Sequence, residues 1–203
     1  MTKSPLTIGI LIFDGAEEMD FVGPWDVMTA AVNGLPGERV LTIAEKADPV
    51  VCEKGMRVLA DTTYDEAPPL DVVLIPGGSG ARREIDNPAT VAWLTRTAAG
   101  CSWVTSVCTG AFLLVGAGLA GGRRVTTHHD FIGALKEMGG AEVVAGVRYV
   151  RDGNLVTAGG VMSGIEMSLW LVGKLYGEAV VQRTKSYIAY DFPPRDSSDV
   201  SQG

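Results

Sequence analysis

The sequence predicts an α/β fold, a doubly wound, mostly parallel sheet with helices on both faces. Three observations carry this. Thr7–Phe13 (TIGILIF) and Asp71–Ile75 (DVVLI) are almost wholly apolar and do not alternate, which is how strands buried on both faces read, and Trp103–Val107 (WVTSV) is read as a third buried strand. Segments with apolar residues at helical spacing lie between them. Each run also empties into a loop of glycine or small polar residues, and ligands of open α/β sheets bind beyond the carboxyl ends of the strands.

Taken in order, Thr7–Phe13 is the first strand and Phe21–Val32 the helix that follows. Arg39–Ala44 and Val50–Cys52 read as strands, with Met56–Leu59 as the second half of a small hairpin arm. Asp71–Ile75 ends in Pro76-Gly77-Gly78. Asn87–Ala99 is a helix with Asn87 as its N-cap and Pro88 in the first turn. Trp103–Val107 leads into a helix of small residues, Thr109–Leu119, stopped by Gly121-Gly122. Asn154–Ala158 is a last strand and Val161–Leu175 a long apolar helix. Residues 1–192 are expected to form one domain, and 193–203, polar with two prolines, a frayed tail.

The bulk composition narrows the partners. The chain has 203 residues, 46% hydrophobic and 20% charged, with a formal net charge of −7. That balance repels phosphate backbones and anionic lipids, so neither nucleic acid nor a membrane is an expected partner. No stretch has the roughly 18 apolar residues of a membrane span. The first residues lack a signal-peptide pattern, and the three cysteines are an odd count, so reduced thiols in the cytoplasm are expected.

Val104-Thr105-Ser106-Val107-Cys108-Thr109-Gly110-Ala111 has the layout of a nucleophile elbow with cysteine as the nucleophile. A strand runs straight into Cys108 and a helix starts behind it, so the helix N-terminus is expected to lower the thiol pKa. The competing reading is a buried cysteine that merely fills space. Pro76–Gly80 offers backbone N–H groups at Gly77 and Gly78, an oxyanion hole if shared with the N–H of Thr109. The segment lacks dinucleotide-loop spacing, and no helix is expected directly after it. In Gly15–Asp20 (GAEEMD), Glu17 and Glu18 read as solvated helix-start charges. Asp20 adjoins apolar Phe21-Val22 and is expected to face Cys108 with a raised pKa, either to donate a proton or to hold the sulfur in place.

His128 and His129 follow Val125-Thr126-Thr127. Either could pair with a thiolate, but a helix-start histidine bonding locally is favoured. As neighbours their side chains are expected to diverge, a poor chelate, and no metal is expected. Cys52 and Cys101 are space-filling, Trp93, Trp103 and Trp170 are packing residues, and Trp25 and His128 are placed to reach the substrate pocket. Val161, Met162 and Ile165, at the start of the long helix, are expected to form an uncharged wall suited to a neutral hydrophobic substrate.

GAEEMD after the first strand, PGG after DVVLI, SVCTG at the elbow and TTH behind it, in that order, resemble the ThiJ/PfpI superfamily. The resemblance runs from Ile8 to Tyr190 and implies a flavodoxin-like fold related to class I glutamine amidotransferases. Within the superfamily, Asp20 with Gly23-Pro24 and Asp26-Val27, Ser106–Gly110, Gly122-Arg123-Arg124 with Thr126-Thr127-His128, Arg151–Leu155, and Gly159-Gly160 before Gly164-Ile165 resemble the isocyanide hydratases. That branch implies Cys108 as nucleophile, Asp20 as acidic partner and Thr109 as a shaper of the pocket. The implied reaction hydrates a small hydrophobic isocyanide to an N-substituted formamide through a Cys108 thioimidate, without cofactor, in a homodimer.

Other readings fit parts of the same pattern. One is a cysteine-based redox sensor or stress protein. Another is the ligand-binding, amidotransferase-like domain of an AraC-type regulator without its DNA-binding part. The chain ends soon after Tyr190, which favours the stand-alone enzyme. A glyoxalase-like activity is disfavoured, because Thr109 stands where those relatives carry histidine.

Overall fold

The structure is a computed structural model, and it describes residues 4–190. The strands are β1 (Thr7–Leu11), β2 (Arg39–Ala44), β3 (Val50–Val51), β4 (Arg57–Val58), β5 (Thr62–Thr63), β6 (Val72–Ile75), β7 (Trp103–Val107), β8 (Arg124–Val125), β9 (Glu142–Val143), β10 (Tyr149–Asp152) and β11 (Leu155–Ala158). The helices are α1 (Glu18–Val32), α2 (Ser79–Glu84), α3 (Pro88–Ala98), α4 (Gly110–Gly116), α5 (Ile132–Met138), α6 (Val161–Tyr176) and α7 (Glu178–Tyr187).

The main sheet has the order β10-β11-β7-β6-β1-β2-β5. Every pairing in it is parallel except the hairpin of β10 with β11. Residues of β1, β6 and β11 are buried throughout, as strands covered on both faces must be. On one face Val27, Met28 and Ala31 of α1 meet Leu169, Leu171 and Val172 of α6 and Val181 of α7 over Ile8 and Val72. A larger cluster takes in Trp93 and Leu94 of α3 and Phe112, Leu113 and Leu114 of α4. Trp93 stacks on Tyr64 with ring centres 4.6 Å apart, and Trp103 meets Trp170 edge-on at 5.4 Å, so these indoles pack as expected.

The strand order reverses at β1, with β2 on one side and β6 on the other. The crevice at the carboxyl ends of β1 and β6 is therefore the place for a ligand. Asp20 follows β1, Gly77 and Gly78 follow β6, Cys108 follows β7 and Gly159-Gly160 follow β11. The hairpin arm of β3 and β4 folds back over this edge, where Glu53 N–H donates to Ala16 O at 2.9 Å and Lys54 N–H donates to Glu18 Oε1 at 2.8 Å.

Two local expectations need correction. A helix does follow the PGG loop at once: α2 begins at Ser79. Its sequence SGARRE has no apolar period, but Gly78 at φ 105° turns the chain there, and a Cβ on Gly78 would lie 2.1 Å from Gly15 O. The helix after β1 also starts earlier than Phe21, at Glu18, with Pro24 inside it. The expected tail, 193–203, lies outside the described residues.

Candidate active site

Cys108 links β7 to α4 with φ 54°, a left-handed conformation shared among the described non-glycine residues only with Ala189. Such a position persists when its surroundings hold it. Here Cys108 N–H donates to Ala158 O at 2.9 Å, and Thr127 Oγ1 donates to Cys108 O at 2.9 Å. Gly110 lets α4 sit directly against β6, since a Cβ there would lie 2.4 Å from Ile75 O. The elbow is therefore built by backbone contacts from β11, β6 and the Thr127 segment together.

Asp20, in the first turn of α1, is fully buried. Its Oδ2 accepts from Gly77 N–H at 3.0 Å. Its Oδ1 has no well-formed hydrogen bond, and the Cys108 thiol interacts with the same carboxyl. Burial lifts this carboxyl from its usual 3.8 to about 7, against the opposing pull of the Gly77 N–H. Burial likewise pushes the Cys108 thiol up to about 12, and the Asp20 charge adds to that, while the Thr109 N–H and hydroxyl oppose it. The thiol is thus raised, contrary to the lowering expected from the helix terminus. α4 has only seven residues, and exclusion of water outweighs its dipole.

The glycine loop also differs from expectation. Gly77 N–H is taken by Asp20, and Gly78 N–H donates to Thr109 Oγ1 at 3.0 Å. Neither is free as an oxyanion donor, which leaves Thr109 N–H, aimed at the Cys108 sulfur. Thr109 Oγ1 donates in turn to Gly78 O at 3.1 Å, fastening the loop to the elbow. No side chain fits at Gly77, where a Cβ would lie 2.6 Å from Thr109 N and 2.8 Å from Asp20 Oδ2.

Above Cys108 lies a cavity of about 220 Å³, walled by Val161, Phe131, His128, Arg82, Glu17 and Glu53 together with the elbow and the PGG loop. Val161 and His128 are where the sequence places them. Trp25, Met162 and Ile165 are not in this wall. Trp25 is 38% exposed, and Met162, one residue along α6 from Val161, is 62% exposed. Ile165 packs into the seam between α6 and α1, where a Cβ on Gly23 would lie 3.0 Å from it.

Nor is the wall uncharged. Glu53 comes from the arm, its Oε2 accepting from Ser79 N–H at 2.9 Å, and Glu17 pairs with Lys54. The Arg82 guanidinium lies over the Phe131 ring, 4.7 Å from its centre. Glu53, Arg82 and Phe131 escaped the sequence reading because they reach the cavity from the arm, α2 and the turn before α5. Glu17, read from the sequence as a solvated helix-start charge, stands in the wall as well. Cys52 and Cys101 are buried away from the cavity, and all three cysteines are unpaired.

The DJ-1/PfpI family model matches residues 7–174. The chain belongs to the DJ-1/PfpI family. It is 36% identical over 193 residues to an isonitrile hydratase from Pseudomonas putida, across 95% of this chain and 82% of that protein. It is 32% identical to the Parkinson disease protein 7 homolog of Danio rerio, across 87% and 93% of the two chains. A ThiJ/PfpI family protein from Pseudomonas syringae superposes with a TM-score of 0.85 at 29% identity, covering 97% of this chain and 79% of that one. Membership confirms the ThiJ/PfpI resemblance and the flavodoxin-like α/β fold. Among the described residues no helix is long and apolar enough to cross a membrane.

Proposed function

We propose that this chain is an isocyanide hydratase, acting as a homodimer, with Cys108 as nucleophile and Asp20 as the proton-transfer group. The observation that carries the reading is the buried pairing of a neutral thiol with a carboxyl held near pH 7. The terminal carbon of an isocyanide must gain both a nucleophile and a proton, and such a pair supplies both. Asp20, as carboxylate, takes the thiol proton while sulfur bonds to carbon, then delivers that proton to the same carbon. The product is a thioimidate, R–N=CH–S–Cys108. Water then adds across the C=N bond, the C–S bond breaks, and the thiol regains its proton as R–NH–CHO leaves. Thr109 N–H, near the sulfur, steadies charge that develops there. The balance requires no metal or organic cofactor.

The likeness to the Pseudomonas putida isonitrile hydratase supports the same reading. A sensor role for Cys108 is supported less, since oxidation follows thiolate character and burial keeps this thiol protonated. Three unpaired cysteines fit a reducing cytoplasm. The dimer is supported by exposed Val51, Met56 and Leu59 on the arm, with Met19 at the foot of α1. Light scattering at micromolar concentration should give twice the chain mass; a monomer would contradict the dimer.

The reading is tested by formamide release from a small isocyanide. Within it, the wall is tested by Val161→Ala, which removes apolar surface and should shift the rate ratio of large to small isocyanides about three- to tenfold. Met162→Ala should leave that ratio unchanged, because Met162 stands outside the cavity.

A further inference from the structure

The turn that carries His128 has a geometry not explained by the Cys108 chemistry. Residues His129–Phe131 form a short 3₁₀ turn ahead of α5, and it brings neighbouring side chains together instead of letting them diverge. The two imidazole rings lie 4.1 Å apart at 30°, so the expected divergence of the two side chains is not found.

We propose that His128, His129 and Asp130 bind one divalent first-row cation of the zinc class at the rim of the Cys108 cavity. Asp130 bridges the two rings, with Oδ2 3.6 Å from His128 Nδ1 and Oδ1 3.4 Å from His129 Nε2. The donor atoms of all three residues lie within 4.8 Å of one another. A tetrahedral cation with bonds of about 2.0–2.1 Å holds its ligands roughly 3.3–3.4 Å apart. Each Asp130 oxygen already stands at nearly that length from one of the two ring nitrogens, and with one oxygen as the ligand the remaining spacing, within 4.8 Å, closes by rotation of the exposed His129 and Asp130 side chains.

One donor is already engaged, in a bond that a bound ion would replace. His128 Nδ1 accepts one long bond, 3.3 Å, from Asp130 N–H, and the His129 ring makes no hydrogen bond among the described residues. Two imidazoles and one carboxylate suit zinc, nickel or copper and are a poor set for magnesium or calcium, which prefer oxygen ligands. Three protein ligands leave a position for water, so this is an exchangeable site and not a structural one. His128 also walls the Cys108 cavity. An ion bound here fixes that ring and places positive charge at the rim.

The test uses tag-free Cys108→Ser protein, which removes the soft thiol and makes the result independent of the hydratase reading. Calorimetric titration with zinc chloride should show one ion per chain with a micromolar Kd, and magnesium chloride should show none. His129→Ala and Asp130→Asn on the same background should each weaken zinc about tenfold or more. Both side chains are exposed, so the fold should survive, as circular dichroism would verify. No saturable zinc binding, or equal affinity in His129→Ala, would overturn the proposal.

Discussion

Cys108→Ala protein should release no formamide from an isocyanide above the buffer rate, a loss of at least about a thousandfold. The substitution removes the bond-forming atom, and no other thiol can replace it: Cys52 and Cys101 are buried outside the cavity. A small residue at the elbow should leave the fold in place, because the backbone of Cys108 is held by Ala158 and Thr127 and not by its sulfur. Wild type mixed with excess isocyanide and quenched early should carry an adduct of the full isocyanide mass at Cys108, since the thiol adds without a leaving group. Formamide release by Cys108→Ala at the wild-type rate would remove the cysteine from the chemistry.

Asp20→Asn should lower kcat by about 10²–10⁴, the usual reach of a positioned acid–base group. Asparagine can still accept from Gly77 N–H but moves no proton. The pH dependence has a definite sign. Attack needs the carboxylate, so wild-type kcat/KM should rise about tenfold per pH unit below about 7 and level off above it. Asp20→Asn should lack that limb.

Stability should move the other way. With the folded carboxyl at about 7 and the unfolded one at 3.8, the native state binds the extra proton. Stability therefore falls as pH rises through that window, and the ionised carboxylate costs the fold up to about 4 kcal/mol at pH 8. Asp20→Asn should be the more stable protein at pH 8, by part of that amount, and close to wild type at pH 4. Urea unfolding at the two pH values measures this. A variant less stable at pH 8 would mean that the buried carboxylate is held by more than Gly77.

These two residues were legible because their surroundings are local. TIGILIF names its strand by a nearly unbroken apolar run and WVTSV by its β-branched residues, and Asp20 lies a few residues beyond the first of these strands and Cys108 directly after the second. The arm was legible in outline, as Val50–Val51 paired with Arg57–Val58. The short polar elements were not. SGARRE and the two-residue edge strand Thr62–Thr63 carry no apolar period strong enough to read, and tertiary contacts decide them. The same limit hid Glu53 and Arg82, which approach the cavity from distant elements. The Cys108 pKa misled for another reason: the helix-terminus rule is local, whereas burial belongs to the assembled pocket. His128 and His129 misled because side-chain divergence depends on backbone conformation, and a 3₁₀ turn was not foreseen.

The most direct measurement follows a small alkyl isocyanide by NMR in the presence of wild-type protein at pH 8. The N-substituted formamide should accumulate in large molar excess over the chain, at a rate proportional to protein concentration. An isocyanide left unchanged, or consumed only to one equivalent with Cys108 permanently modified, would contradict hydration as the function of this site.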